Sequence, residues 1–215
     1  MSSCLRKALL AGLVAVAWSA SCFAAEFSFG PWRLGMSRDQ VRSFTEYGPY
    51  ERVGVTGGLE IHDADIDGKK GTVSFVFDEH GLSYIQVWYY EGSGYELAKK
   101  AVLEVFDLFT QRFGGVEVPG VKVSGRADLS RQDMDALLTR VLGTAKELGQ
   151  KTGKEQKAAM LLFFDLKPKR QPDGSRLHSQ WGYHSQFDTF YVFLYQDRAD
   201  APERKIESNI QLEPL

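Results

Sequence analysis

Apolar positions along this chain fall into runs of different period, and each run predicts an element. Thr72 to Asp78 (TVSFVFD) alternates with period two, which places Val73, Phe75 and Phe77 on one face of a strand. Leu59 to Ile66 reads as the strand before it, with a turn over Asp67 to Gly71 between them, and His80-Gly81 marks a tight turn after it. Leu82 to Glu91 (LSYIQVWYYE) is apolar on both faces, the pattern of a central strand. From Tyr95 to Phe113 the period becomes helical: Leu97, Ala101, Val102, Val105, Phe106, Leu108, Phe109 and Phe113 share a stripe, and Gly114-Gly115 stop the helix. Residues Val116 to Arg126 read as a Gly- and Pro-containing linker. A second helix runs from Arg131 to about Leu148 on Leu137, Leu138, Val141, Leu142, Ala145 and Leu148, with Ser130 and Asp133 as an approximate capping box. After a charged loop at Lys151 to Lys157, three further strands follow: Ala158 to Leu166, Leu177 to His184 and Phe187 to Gln196, the first two joined through Pro172-Asp173-Gly174.

Ahead of these elements, Phe27, Phe29 and Trp32 alternate loosely and predict a short first strand. Ser37 then caps a short helix reaching about Thr45, with Gln40 as its capping-box partner, and Gly48-Pro49 ends it. The expected order is β-α-βββ-α-α-βββ. Consecutive strands joined by short turns pair antiparallel, so the class is α+β, antiparallel sheet with helices on one face. A helix followed by three strands occurs twice, the outline of a tandem αβββ repeat, although the halves share little residue identity. The chain divides into two α/β units, 25–115 and 116–198, and a polar tail, 199–215. The tail is either frayed or forms a last edge strand around Ile206 to Leu212.

Residues 1–24 have a different character. Arg6 and Lys7 precede an apolar run from Ala8 to Ala17, and small residues lead to Ala24, the outline of a secretory signal cleaved after Ala24. A second reading attaches lipid at Cys22 behind Ser19-Ala20-Ser21, where Ser19 replaces the usual large aliphatic residue. The apolar run is shorter than the roughly 20 residues a membrane-spanning helix needs. The Leu97 to Phe113 stretch is broken by Lys99, Lys100, Glu104, Asp107 and Arg112. The expected address is therefore the periplasm, with no transmembrane segment after cleavage.

Cleavage also changes the chemistry. It removes both cysteines, Cys4 and Cys22, so disulfides, thiol nucleophiles and thiolate metal sites go with it. It leaves 191 of the 215 residues, enough for one domain or two small ones. The leader holds two basic residues and no acidic one, so its loss takes the formal charge from −2 to −4. A mildly acidic chain does not point to nucleic acid, which favours a strongly basic face. Stability must come from core packing, for which the chain's 14 Phe, 9 Tyr and 4 Trp, all but Trp18 and Phe23 beyond residue 24, supply the bulk.

The string Leu34-Gly35-Met36-Ser37, then Val41, then Tyr47-Gly48-Pro49, then TVSFVFDEHGLSYIQV from Thr72, carries a resemblance. It resembles the SmpA-type small outer-membrane assembly lipoproteins and other periplasmic domains of β-lactamase-inhibitor-protein-like fold, over roughly residues 30–90. The resemblance implies a helix-opening Gly-Met-Ser step, a strand–turn–strand packing unit, and a role in binding other proteins rather than in catalysis.

Candidate chemistry is sparse. Asp63, Asp65 and Asp67, followed by Gly68, match the opening of a calcium loop, but its twelfth position is Ser74 instead of Glu, and Lys69 and Lys70 adjoin it. The competing reading is a strand whose alternation puts the three carboxylates on one solvent face. His178 and His184 are six residues apart in one strand, roughly 20 Å if extended, too far to share a metal. No His-Glu-x-x-His or Gly-x-Ser-x-Gly motif is present. A dispersed Ser-His-Asp site, for example His184 with Asp188, has no motif behind it. Lys151, Lys154 and Lys157 precede one strand, and Lys167, Lys169, Arg170 and Arg176 follow it, either as solvated loop charge or facing an acidic partner. Trp88, Tyr89, Tyr90 and Tyr95 form a dense aromatic group, a candidate partner-binding patch if helices leave it uncovered. The expectation is a non-catalytic periplasmic module with no cofactor that binds another envelope or secreted protein, as an inhibitor, an immunity protein or an envelope assembly factor. The alternatives are a calcium- or small-ligand-binding protein and an unrecognised hydrolase.

Overall fold

A computed structural model describes residues 28–54, 57–66, 69–119, 121, 128–151, 160–172, 174–184 and 187–200. Residues 1–27, where the leader is expected, with Cys4 and Cys22, as well as Asp67, residues 152–159 and residues 201–215, lie outside the described residues. The elements are α1 (Arg38–Arg42), a 3-10 turn at Thr45–Tyr47, β1 (Glu51–Val53), β2 (Gly58–Ile66), β3 (Lys69–Asp78), β4 (Gly81–Gly92), α2 (Tyr95–Phe113), β5 (Val116–Glu117), α3 (Arg131–Lys151), β6 (Met160–Pro168), β7 (Ser175–His184) and β8 (Thr189–Arg198). All eight strands join antiparallel, in the order β1-β2-β3-β4-β8-β7-β6-β5. The class is mixed α+β, as expected. Among the described residues the element order departs from expectation: no strand precedes α1, and β1 and β5 are gained.

Each departure has a local cause. Residues 28–32 form a turn in place of a first strand. Gly30 sits at φ +82°, Pro31 offers no N–H to a ladder, and the Ser28 hydroxyl bonds to the Gly30 and Trp32 carbonyls. Trp32 is thereby fully buried, edge-on to Phe75 at 4.9 Å. The Ser37–Gln40 capping box forms as predicted: Ser37 Oγ accepts from Gln40 N at 3.2 Å and Gln40 Oε1 from Ser37 N at 2.8 Å. The helix it starts ends at Arg42, with the 3-10 turn separate. β3 begins at Lys69, inside the predicted Asp67–Gly71 turn. The linker holds β5, two residues paired to β6. Among the described residues β1 and β5, three and two residues long, are the sheet edges, and such short edges discourage pairing between chains.

β4 lies at the centre, against β8, which agrees with its apolar character on both faces. The chain leaves β4 through α2, whose Ala98, Ala101, Val102, Val105, Phe106 and Phe109 are buried, and ends that helix on Gly114 at φ +77°. The helix touches β4, β8, β6 and β5, so it crosses half the sheet. α3 packs on α2, with Lys99 Nζ 2.9 Å from Asp135 and 3.0 Å from Thr139 Oγ1. Val41 of α1, the buried stripe of α2, and Met134, Leu137, Leu138 and Val141 of α3 join one hydrophobic core with Val73, Phe75, Ile85, Val87, Leu177, Trp181, Val192 and Leu194 of the sheet. That core includes residues of both predicted units.

The Gly35-Met36-Ser37 step and the turn between β3 and β4, on which the expected resemblance rests, meet in space. Gly35 N–H donates to the Leu82 carbonyl and Leu82 N–H to the Met36 carbonyl, both at 2.7 Å. The turn between β3 and β4 passes so close that a Cβ on Gly81 would lie 2.5 Å from the Gly35 oxygen. The Gly-Met-Ser step and the hairpin are thus two sides of one backbone joint.

Candidate functional site

The two faces of the sheet differ. Among the described residues, every buried helical side chain belongs to the core on one face. The opposite face carries a separate cluster made only of strand residues: Tyr84, Phe193 and Tyr195, with Val76, Trp88 and Tyr191 against them. Strand register sets these side chains in rows. One row reads Thr72, Trp88, Phe193, Gln180, Asp165 across β3, β4, β8, β7 and β6. The next reads Glu60, Ser74, Gln86, Tyr195, His178, and a third Val76, Tyr84, Asp197, Arg176.

Ring contacts tie the centre together. Tyr191 and Phe193 stack with centroids 5.6 Å apart and planes 5° apart, and Trp88 meets Phe193 edge-on at 5.1 Å and Tyr191 at 6.0 Å. Tyr195 contacts Phe193 at 5.8 Å, Tyr84 at 5.5 Å and His178 at 4.9 Å. Contacts of this kind add about 0.5–1.5 kcal/mol each beyond area burial. Phe193 and Tyr195, at 5% and 4% exposure, are wedged among their neighbours, while Trp88, Tyr191 and Val76 are half-buried. Gln180 is almost wholly buried, and its Oε1 has no hydrogen-bond partner. The rim is charged: Arg176 donates to Asp197 at 2.5 and 3.0 Å on one side, and Glu60 accepts from Ser74 at 2.8 Å and lies 3.4 Å from His62 on the other. Burial, first of all, lowers the His178 pKa. Lys167 and Arg176 push the same way, against Asp165 and Asp197.

The predicted aromatic patch is split by this geometry. A bulge at Tyr89, where the pairing steps from Trp88↔Phe193 to Tyr90↔Val192, resets the alternation. Trp88 stays on the face to which no described helix contributes. Tyr89 and Tyr90 pack against the helix-side core, Tyr89 OH donating to Glu104 of α2 at 3.4 Å and Tyr90 OH to the Gly94 carbonyl at 3.0 Å. Tyr95 lies on that side too, 5.9 Å from Phe190 and 6.3 Å from Trp181. The partners Trp88 does have, Tyr191 and Phe193, belong with Tyr195 to a period-two run within Phe187 to Gln196, interleaved with Val192 and Leu194.

The acidic candidates sit at another bulge. Leu59 and Ile61 face the core, the register shifts between Ile61 and Ala64, and Ala64 and Ile66 face the core thereafter. Asp63 takes φ +55° within the bulge and is exposed, and Asp65 is exposed opposite Lys70. Among the described residues, no group of three His, Cys, Asp or Glu side chains is placed to hold a metal. His80 is exposed in its turn. His184 stacks on Phe187 at 4.5 Å, and Asp188 accepts from Tyr183 OH at 2.7 Å, so His184 and Asp188 do not share a hydrogen bond. Of the basic residues, Lys169 pairs with Asp128 at 2.7 Å and Arg176 with Asp197. Among the described residues no helix is long and apolar enough to cross a membrane.

No protein-family model, no curated protein and no solved structure matches this chain.

Proposed function

We propose that the chain is a non-catalytic protein-binding module that works in the periplasm and receives its partner on the helix-free face of the sheet. The observation that supports this is the ring cluster of Trp88, Tyr191, Phe193, Tyr195 and Tyr84 on a face to which no described helix contributes. Protein interfaces favour an aromatic centre inside a charged rim, and anchors locked by their neighbours lose little entropy on binding. The leader-like composition of residues 1–24 and the resemblance over residues 30–90 support an envelope role, as an inhibitor, an immunity protein or an assembly factor. The mirrored strand order on either side of the β4–β8 pair supports reading the halves as an internal duplication.

The test is a photo-crosslinking amino acid placed at Tyr191 and, as control, at Lys100 on the exposed side of α2, in cells making the protein. The expected result is a discrete protein adduct from position 191 alone, lost on adding Trp88→Ala. Removing a central aromatic anchor costs about 2 kcal/mol or more, roughly 30-fold in affinity. Adducts from position 100 and none from 191 would move the interface to the helices and overturn the proposal.

A further inference from the structure

The helix side of the sheet carries a cleft of about 290 Å3 that the protein-binding reading does not use. Its inner wall is apolar: Phe29, Ile66 and Leu194 are buried core residues, and Leu108 adds to it from α2. Its mouth is charged. Glu104, Asp107, Leu108 and Gln111 recur at helical spacing along α2, so one stripe of that helix presents both the acids and the leucine. Lys69, at the start of β3, forms an ion pair with Glu104, and its ammonium lies 4.3 Å from the centre of the Tyr89 ring. Tyr89 OH donates to the same carboxylate, and burial raises the Tyr89 pKa, so the phenol stays a donor. Asp107 in turn accepts from Arg131 Nε at 3.1 and 3.2 Å.

The charges at the mouth therefore cancel in pairs, Lys69 with Glu104 and Asp107 with Arg131. A ligand carrying a single charge would pair with one member and strand the other. A dipolar ligand replaces one intramolecular pair by two intermolecular ones and strands neither. The cation–carboxylate–aromatic arrangement that now holds the Lys69 ammonium suits any primary ammonium. In other proteins an engineered apolar cavity of about 150 Å3 accepts benzene, so the roughly 290 Å3 of this cleft has room for a branched or aromatic side chain with its head at the mouth. We propose that this cleft binds a free amino acid with an apolar side chain of the leucine or phenylalanine class: its carboxylate on Lys69, its ammonium on Glu104 and its side chain against Ile66, Leu108 and Leu194. The site is independent of the sheet face on the other side.

Calorimetric titration of the purified protein with L-leucine and L-phenylalanine tests this, with leucinamide and 4-methylpentanoate as controls that each lack one charge. The amino acids bind in the micromolar to millimolar range, and each control is weaker by about 10-fold or more, the worth of one charged contact. Lys69→Met and Glu104→Gln each abolish the preference for the dipolar head. Leu108→Trp fills the cleft from a half-buried position without touching the ion pair, so it abolishes binding while the circular dichroism spectrum stays that of the parent. Absence of heat with either amino acid in the millimolar range overturns the proposal. So does equal binding of 4-methylpentanoate, which would make the cleft a simple apolar site, or of leucinamide, which would make the ligand a peptide N-terminus.

Discussion

Gly81→Ala separates a structural role for the Gly-Met-Ser and hairpin residues from a role in recognition. Gly81 has φ +98°, and an added Cβ would meet the Gly35 oxygen at 2.5 Å and the Met36 oxygen at 2.9 Å. Both are backbone atoms and cannot swing aside. The positive φ costs an L-residue roughly 1–2 kcal/mol. Relieving the clash means parting the Gly35–Met36 segment from Leu82, which forfeits two short backbone hydrogen bonds at roughly 1 kcal/mol each. The expected loss is about 3–4 kcal/mol. Gly174 supplies the internal control: it has φ +71°, and a Cβ there meets nothing within 4 Å. Gly174→Ala should lose only the conformational part, about 1–2 kcal/mol. Urea unfolding followed by circular dichroism measures both, with unchanged slopes showing that the surface exposed on unfolding is the same. Equal losses for the two variants would refute the joint, because they would mean that the close approach to Gly35 carries no energy.

Two further outcomes follow from titrating groups. Burial holds the His178 imidazole below its ordinary 6.5, whereas in the unfolded chain it titrates near that value, so between the two values the unfolded state binds more protons. Its contribution is full above pH 6.5 and is lost as pH falls toward the lowered native value. His178→Gln should therefore lose less stability than the parent between about pH 7.5 and about pH 5.5, and identical losses would show that His178 protonates freely when folded. Burial raises Tyr95 to about 12, and burial with the Asp188 charge raises Tyr183 to about 12, from an ordinary 10.0. Unfolded phenols ionise first, so this stability is lost as pH rises from 10 toward 12. An ultraviolet titration should show a late-ionising component that shrinks in Tyr95→Phe and in Tyr183→Phe, and ionisation of both near pH 10 would contradict the burial.

The legible part of this fold was the part written in local period. Helix α2 falls on the predicted Tyr95 to Phe113, and the six long strands lie within a few residues of their runs. What period could not show was where it breaks. The bulges at Asp63 and Tyr89 each insert one residue and exchange the faces beyond them, and neither position carries a proline or glycine to announce it. That exchange sent Tyr90 to the helix side and put Asp63 and Asp65 outside while Leu59 and Ile61 are inside. β1 and β5 are too short for any periodic signal. The aromatic face was half legible: Trp88 was singled out, but its neighbours come from β8, about a hundred residues later, and only the β4–β8 pairing brings them together. The cleft left no motif, because Lys69, Tyr89 and Glu104 belong to three elements and each looks like a solvated charge or a core ring alone.

The proposed protein-binding face and the proposed amino-acid cleft lie on opposite sides of the same two central strands, and that placement makes them separable. Trp88 belongs to the face and Tyr89 to the cleft; on β8, Phe193 belongs to the face and Leu194 to the cleft. Neighbouring residues in a strand point to opposite sides, so a side chain shortened on one side leaves the other side's contacts in place. Trp88→Ala should accordingly destroy crosslinking from position 191 and leave the leucine titration unchanged, and Leu108→Trp should do the reverse. If either variant abolishes both activities with its fold intact, β4 and β8 move as one body when either site is occupied, and the two sites are coupled through the sheet. If each abolishes only its own, the core between them is stiff enough to keep the faces apart, as close packing of Ile85, Val87, Val192 and Leu194 would require.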